Sequence, residues 1–141
     1  MDEQKKKVLK FIGSQELAVI TTVTPAGLPE AAVVAISEMP DLSLIFATFT
    51  QYRKYPNLKR TPYVAFVIGW EDITVQYEGV ATELEGEECE EAKRIHIEKI
   101  PHSAKFADLP EERYFKVAPK WIRYTDYTND SIYGEVFELN F

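Results

Sequence analysis

The sequence predicts a mainly β protein, a small antiparallel β-barrel of six or seven strands with short helices at its rims. Two observations lead to this class. Several runs rich in Val, Ile and Thr follow one another at short intervals, and Pro- or Gly-containing turns separate many of them. The chain of 141 residues is long enough to bury one core and shows no internal repeat or low-complexity linker. We therefore expect a single domain over residues 1–141.

The first half of the chain predicts a helix, a hairpin and a further strand. From Lys5 to about Gln15, apolar residues recur at helical spacing between lysines. The cluster Pro25-Ala26-Gly27-Leu28-Pro29 lies between two β-rich runs, which is typical of a hairpin. A turn at residues 39–41 precedes the next run. The strands predicted here are Leu17–Thr24, Ala31–Ser37 and Leu42–Thr48.

The second half predicts four more strands and one longer helix. The helix is expected over Glu87–Ile100, with acidic residues first and basic residues later, which suits the helix dipole. Gly79 is expected to mark a bulge or a close approach of two backbones. Pro110–Phe115 is expected to form a short turn. The predicted strands are Tyr63–Trp70, Ile73–Leu84, Trp121–Tyr127 and Ile132–Leu139.

Composition and charge narrow the classes of function. A net charge of −7 argues against general binding to nucleic acid, because the chain has no broad basic surface. No run approaches the roughly 20 apolar residues of a membrane span, and residues 1–7 lack the apolar core of a signal peptide. Cys89 is the only cysteine, so the chain cannot form an internal disulfide. We expect a cytoplasmic protein with no membrane or nucleic-acid partner.

The junction between the third strand and the next helix carries the clearest chemical pattern. Thr48 and Thr50 end the strand, and Arg53 and Lys54 follow within four residues of Thr50. Hydroxyls, two cations and the open end of a helix are groups that bind a phosphate monoester. Pro56 is tolerated only in a first helical turn, so the helix is expected to begin near Tyr55 or Pro56. The alternative is that the two cations are ordinary solvated surface charges.

Four segments in register resemble the pyridoxamine-phosphate-oxidase-like split β-barrel flavoproteins. The first is the run from Thr48 through Arg53-Lys54 and Asn57-Leu58 to Pro62 and Ala65. Each segment is a weak signal alone, but together they extend over about residues 15–127. The other three are the hairpin Leu17–Pro29, the strand Val75–Ala81 and the late strand Val117–Tyr124.

This resemblance implies FMN as the cofactor and assigns residues to it. Arg53 and Lys54 match the residues that hold the FMN phosphate, and Thr48 matches a hydroxyl on the same side. Gln76 matches a glutamine near the flavin ring or ribityl chain. Members of the family are typically homodimers with flavins between protomers, so residues near Trp121 are expected to reach the partner's flavin. The strand Ala32–Ile36 is expected to lie along the isoalloxazine, which adds Val33, Val34 and Ala35.

The chain also departs from the oxidase that names the family. That enzyme has an arginine where this chain has Ala32 and a lysine for the substrate phosphate where it has Ser37. A serine of its phosphate loop corresponds to Tyr52, and a late tryptophan corresponds to Thr125. The missing lysine argues against oxidation of pyridoxine phosphate, while the fold inference is unaffected.

The histidines and the cysteine are weaker candidates. His96 and His102 have poor spacing for a shared metal, and no metal site is expected. Helical spacing places His96 with Cys89 and Ala92 on one face, which favours a packed histidine. The carboxylates beside Cys89 disfavour its thiolate and hence a nucleophilic role.

The sequence therefore predicts an FMN-binding flavoprotein that acts as an oxidoreductase on an unidentified small molecule. No general acid or base is evident, which suits chemistry performed by a cofactor. One alternative is a flavin-binding or flavin-sensing module without catalysis. Another is the deazaflavin F420, used by relatives that share the Lys-x-x-Asn-Leu pattern found here at Lys54–Leu58. Haem is a further alternative, and its axial ligand would have to be His96 or His102.

Overall fold

The computed structural model describes residues 2–128, 132 and 134–141. This part of the chain contains three α-helices, a 3₁₀ helix at Pro101–Phe106 and eight strands. The helices are α1 (Glu3–Gly13), α2 (Lys54–Arg60) and α3 (Gly86–Lys99). The strands are β1 (Leu17–Val23), β2 (Pro29–Ala35), β3 (Ser37–Glu38), β4 (Leu44–Phe49), β5 (Tyr63–Ile68), β6 (Ile73–Glu83), β7 (Glu112–Asp126) and β8 (Glu135–Asn140).

All strands belong to one antiparallel sheet in the order β2-β1-β5-β6-β7-β4-β3, with β8 paired to β7. Only Ile36 separates β2 from β3. One segment of chain therefore pairs with β1 through its first part and with β4 through its last part. The two ends of the sheet meet in this segment, so the sheet curves around a common core as a half-barrel. The predicted fold class, a mainly antiparallel split β-barrel with short flanking helices, is confirmed.

An apolar core fills the barrel and is closed at one end by α1. Phe46 stacks on Phe115 with ring centroids 5.4 Å apart, and Phe66 packs edge-to-face on Phe46 at 6.0 Å. The helix contributes Val8 and Ile12, both fully buried, from the face that the sequence pattern predicted. Packing of these aromatic and branched side chains is the main source of stability for such a fold.

The expected turn at Pro110–Phe115 is wrong, because β7 already begins at Glu112 and continues for 15 residues. This strand lies between β6 and β4, and Tyr114 and Phe115 are both buried although they face opposite sides of the sheet. Buried and more exposed residues alternate from Phe115 to Lys120, so the period of two is present in this part of β7, but Pro119 falls within it and proline is unusual inside a central strand. The run of predicted strand therefore began only at Trp121, although the resemblance had included Val117–Tyr124.

Gly79 lies at the predicted irregularity, opposite the extra residue of a β-bulge, which is Lys120 on β7. The register between β6 and β7 shifts between Glu78 and Gly79, which is a β-bulge. A Cβ atom at Gly79 would lie 2.5 Å from the carbonyl oxygen of Ala118, closer than a side chain can approach. The backbones of β6 and β7 come together here, and only glycine fits between them.

The remaining elements agree with the sequence to within a few residues. The predicted strand Ile132–Leu139 includes Tyr133, which lies outside the described residues, and the strand observed after it runs over Glu135–Asn140. Within residues 2–128, 132 and 134–141, every helix is too short or too polar to cross a membrane.

Candidate functional site

A cleft of about 380 Å³ opens where the inner faces of β1 and β2 meet the segment that links β4 to α2. This volume is within the range of small-molecule sites. Hydroxyl, amide, carboxylate and cationic groups all line it. The lining residues are Ile20, Thr22, Glu30, Ala31, Ala32, Gln51, Tyr52, Arg53 and Lys54.

The segment before α2 is held in tight turns. The backbone N–H of Tyr52 donates to the Phe49 carbonyl at 3.0 Å, and the N–H of Tyr55 donates to the Tyr52 carbonyl at 3.0 Å. The Phe49 ring anchors the turn by packing edge-to-face on Tyr52 and Phe106. Helix α2 begins at Lys54, one residue before the predicted start. The Tyr55 N–H is bonded within the turn and Pro56 has no N–H, so anion binding at the start of α2 would depend mainly on side chains.

Arg53 lies at the mouth of the cleft. Its side chain is 72% exposed, and its Nη1 atom is 2.9 Å from the Glu30 carboxylate. One guanidinium nitrogen thus faces an internal anion, and the other donors of this planar group are free to turn toward a ligand. Arg53, predicted from sequence as a phosphate ligand, thus lies in the cleft, and its acidic partner was not expected from sequence.

Lys54 adds a second cation beside Arg53. Its Nζ lies 4.9 Å from the centroid of the Tyr52 ring, and the side chain is partly buried. Burial lowers the pKa of Lys54 below its usual value, because desolvation disfavours the ammonium form. An anionic ligand in the cleft would raise the pKa of Lys54 again. It would also form an ion pair with an ammonium group that is already partly shielded from water.

Helix α2 is fastened to the barrel from two sides. On one side, Glu83 accepts hydrogen bonds from Tyr55 Oη at 2.7 Å and Lys59 Nζ at 3.1 Å. On the other, the buried Asn57 amide donates to Thr22 Oγ1 at 3.1 Å and to Glu30 Oε1 at 2.8 Å. These contacts hold the two cations of the cleft in place relative to β1 and β2.

Thr48 and Thr50 do not line the cleft. Thr48 is buried on the same, core-facing side of β4 as Phe46, which is two positions earlier on the strand. Its Oγ1 has no hydrogen-bond partner among the described residues. Thr50 donates its backbone N–H to the Glu111 carbonyl at 2.9 Å. The unpartnered Thr48 hydroxyl is unusual, since buried polar groups are normally bonded.

Other residues that the resemblance assigned to the cofactor lie on the opposite, outer face of the sheet. Val33 on β2 is 59% exposed, Gln76 on β6 is exposed, and Trp121 on β7 is partly buried. The Trp121 indole N–H donates to Glu138 at 3.0 Å. Val34 points inward and is buried, while Ala35 is partly buried at the end of the strand. Within one protomer, the fold does not bring these side chains to Arg53 and Lys54.

The positions that differ from the oxidase are also informative. Ala32 lines the cleft and brings no cation to it. Ser37 is buried and hydrogen-bonded to the Nδ1 atom of His96, so this position faces α3 instead of the cleft. Tyr52 lines the cleft beside Lys54, and Thr125 is buried in β7. The structure thus offers no substitute at these positions for the missing arginine and lysine.

Both histidines lie among the described residues, and neither lines the cleft. His96 is buried and packs edge-to-face on Tyr114 with centroids 5.9 Å apart, which agrees with the packed role expected for it. Burial lowers its pKa to about 4, with smaller contributions from the charges of Lys99 and His102. His102 is exposed and lies 2.6 Å from Glu16.

Cys89 is partly buried on α3, and its thiol has a raised pKa. Burial is the largest cause, and nearby Glu90 and Glu83 contribute, so the thiolate is disfavoured as the sequence indicated. Among the residues that the structure describes, no group of three or more His, Cys, Asp and Glu side chains could hold a metal ion.

Sequence reasoning missed polar residues that line this cleft, which are Glu30, Thr22 and Gln51. Glu30 follows Pro29 at the start of β2, and its register partner on β1 is Thr22, so both point into the cleft. A signal was present, because Glu30 and the apolar Val34 are separated by an even number of positions on one strand and therefore share a face. The contact between the Glu30 carboxylate and Arg53, however, is formed only in the tertiary structure.

Comparison with known proteins identifies relatives at the levels of sequence and fold. The family model for pyridoxamine 5'-phosphate oxidase matches residues 4–126. The pyridoxine/pyridoxamine 5'-phosphate oxidase of Bacteroides thetaiotaomicron is 28% identical over 115 residues, which cover 74% of this chain and 54% of that enzyme. The chain therefore spans about half the length of the curated relative it matches.

Two solved structures illustrate the range of this fold. A heme-binding protein from Mycobacterium smegmatis superposes with a TM-score of 0.85 at 17% identity, covering 99% of this chain and 59% of that one. General Stress Protein 26 from Bacillus anthracis gives a TM-score of 0.73 at 22% identity, covering 98% and 100% of the two chains. Identities this low establish the shared fold and leave function open.

Proposed function

This chain belongs to the pyridoxamine 5'-phosphate oxidase family, and we propose that it is an FMN-binding flavoprotein that acts as an oxidoreductase on a small molecule. The observation that carries this proposal is the pair Arg53 and Lys54, adjacent in sequence and both lining one cleft of suitable volume. Two cations at the mouth of a cleft suit the terminal phosphate of FMN.

The residues around the cleft fit such a cofactor. Arg53 and Lys54 would hold the phosphate, and Gln51 and Thr22 add polar groups for the ribityl hydroxyls. When bound, FMN would supply hydride or electron transfer, and the protein would supply binding, orientation and control of access.

The substrate proposed here lies outside the pyridoxine phosphates. Oxidation of such a substrate would need a cation for its phosphate, and the corresponding position is occupied by Ser37, which is buried against His96. Ala32 likewise brings no charge to the cleft. We therefore propose that this chain binds FMN but does not catalyse the oxidation for which its Bacteroides relative is named.

We further propose that the protein is a homodimer formed through the outer face of the sheet. Val19 on β1 pairs with Val33 on β2 and with Val67 on β5, so three valines form a row across three strands. Val33 and Val67 are exposed, as is the nearby Tyr63. A contiguous apolar surface of this kind is typical of an interface. A second copy seated here would offer its Gln76 and Trp121 to a flavin at the edge of β2.

The histidines favour FMN over haem. A haem site needs an axial ligand, and His96 is buried with its Nδ1 bonded to Ser37, while His102 pairs with Glu16 at the surface. The purified protein should therefore show the absorbance bands of a flavin, near about 370 and 450 nm, and it should release FMN on denaturation. A band near 420 nm would favour F420, and a sharp Soret band would favour haem.

The test of the phosphate site is a double variant with a matched control. Arg53→Ala with Lys54→Ala should weaken FMN binding about ten- to hundredfold, a range that allows for solvent screening of the exposed Arg53. The control is Arg94→Ala with Lys105→Ala, which removes the same two charges from exposed positions outside the cleft. Equal FMN affinity in the two double variants would refute the assignment.

Catalysis is tested separately from binding. The reduced flavoprotein is mixed with candidate small-molecule acceptors, and the rate of reoxidation is compared with the rate in oxygen alone. An acceptor that accelerates reoxidation supports the oxidoreductase. If none of a broad panel of acceptors accelerates reoxidation although FMN binds tightly, the oxidoreductase proposal is replaced by a flavin-storage or flavin-sensing role.

A further inference from the structure

Glu30 places a negative charge in the same cleft that carries Arg53 and Lys54. One carboxylate oxygen, Oε2, is 2.9 Å from Arg53 Nη1, and the other, Oε1, accepts a hydrogen bond of 2.8 Å from Asn57. A carboxylate in a phosphate site is unfavourable for the ligand, because like charges in the same cleft repel. The Glu30 carboxylate therefore calls for a functional explanation.

We propose that Glu30 is an internal anion that competes with the ligand phosphate for Arg53, so that this site binds its phosphate-bearing ligand reversibly. The inference rests on the proposed function, because it concerns the same cleft and the same FMN phosphate. It goes further by assigning to Glu30 the control of affinity for the phosphate group.

The geometry shows which of the two partners can move. Glu30 is mostly buried, with 22% of its side chain exposed, and the amide that holds it belongs to the buried Asn57. Arg53 is 72% exposed and lies at the mouth of the cleft. An arriving phosphate would draw Arg53 away or share it, while Glu30 would stay in place and continue to repel the ligand.

The charge balance of the cleft agrees with weak binding of a bare anion. Arg53 and Lys54 contribute two positive charges, and Glu30 offsets one of them. A phosphate dianion is then only half neutralised by the cleft, so the rest of the ligand must contribute affinity. Such a site discriminates in favour of a phosphate attached to a large aromatic group and against inorganic phosphate.

Glu30→Gln tests the inference with little structural change, because the glutamine Oε1 can still accept from Asn57. FMN and riboflavin are titrated against the full chain by flavin fluorescence. The expected result is that the Kd for FMN falls about tenfold in Glu30→Gln, while the Kd for riboflavin, which has no phosphate, is unchanged. Glu87→Gln is the control, since it makes the same change of charge at an exposed position of α3 outside the cleft.

Two outcomes would overturn the inference. Weaker or unchanged FMN binding in Glu30→Gln would mean that the carboxylate orients Arg53 or has no role in affinity. An equal gain for FMN and riboflavin would mean that Glu30 acts on the ring or ribityl chain instead of the phosphate. Either result leaves FMN binding by the wild-type protein intact.

A second titration keeps the test independent of the flavin. Thermal unfolding is followed in inorganic phosphate against chloride at equal ionic strength. Phosphate should raise the Tm of Glu30→Gln more than that of the wild type, and adding Arg53→Ala should remove the gain. If no form of the protein binds FMN, the proposed function fails, while this phosphate series still decides whether Glu30 competes for Arg53. Equal phosphate effects in both proteins would reject the competition.

Discussion

The Ser37 hydroxyl and the Nδ1 atom of His96 share a buried hydrogen bond that joins β3 to α3. It fixes the helix against the end of the barrel where Tyr114 packs on the imidazole. It also turns position 37 away from the cleft. One contact therefore explains why His96 is packed and why the Ser37 side chain is unavailable to the cleft.

The neutral state of His96 makes stability depend on pH. Burial lowers the folded-state pKa of His96 from 6.5 to about 4, so the unfolded chain binds a proton more readily than the folded one. The stabilisation is complete above about pH 6.5 and is lost as pH falls toward 4. We expect His96 to account for a loss of about 2 kcal/mol in unfolding free energy between pH 7 and pH 5.

Urea unfolding of two single variants measures this contribution. His96→Leu should lose that part of the pH dependence, whereas the exposed His102→Gln should retain it. Identical pH profiles for His96→Leu and the wild type would show that His96 does not titrate as described.

Asn57 is expected to support both stability and the shape of the cleft. Asn57→Ala removes the donor shared by Thr22 and Glu30 and leaves a void in a buried position. The unfolding free energy should fall by about 1–3 kcal/mol. The control is the exposed Asn140→Ala on β8, which should change it by less than about 0.5 kcal/mol. A denaturant series that gives equal midpoints for the two variants would contradict the role of Asn57.

Gly79 should not tolerate even a methyl group. In Gly79→Ala the new Cβ would meet the Ala118 carbonyl oxygen at 2.5 Å and Val117 Cγ1 at 2.7 Å, so β6 and β7 must separate. We expect a loss of about 2–3 kcal/mol, measured by chemical denaturation. Gly13→Ala near the end of α1 would meet only the flexible end of Glu38 at 3.1 Å and should be nearly neutral. Equal stability of the two alanine variants would contradict the close approach at the bulge.

The proposed dimer depends on the outer apolar face. Val67→Lys would place a charge in the row formed with Val19 and Val33 and should shift the protein from dimer to monomer in light scattering after gel filtration. Leu109→Lys changes another exposed apolar residue, one away from this sheet face, and should leave the dimer intact. A wild-type protein that runs as a monomer would reject the proposal outright.

The order of secondary-structure elements was predictable because local signals agreed with the tertiary environment. The Pro/Gly cluster after β1 formed the expected hairpin, and the register of β1 with β2 follows their alternation. The same reasoning failed at residues 112–120, where Tyr114 and Phe115 are buried on opposite faces and Pro119 lies inside the strand. Proline indicates a break in a central strand, so the boundary was placed too late although buried and exposed residues alternate from Phe115 to Lys120.

The candidate site was predictable in part. Arg53 and Lys54 line the cleft because a strand, a tight turn and a helix place adjacent residues at one edge of the barrel. The positions of Gln76 and Trp121 relative to these two cations could not be predicted from sequence, because the distances between them depend on the curvature of the sheet. The structure puts them on its outer face, where only a partner could bring them to the cleft of another protomer.

By itself, the sequence determined the antiparallel barrel class, the glycine at the bulge and the two adjacent cations, because each of these follows from residues close together along the chain. The tertiary structure alone decided that Glu30 faces Arg53, that Asn57 holds Glu30, and that Ser37 turns to His96. These pairs are separated by more than 20 residues, and their contacts exist only because the curved sheet brings β2 to the start of α2 and β3 to α3. The charge of the cleft is consequently a property of the fold.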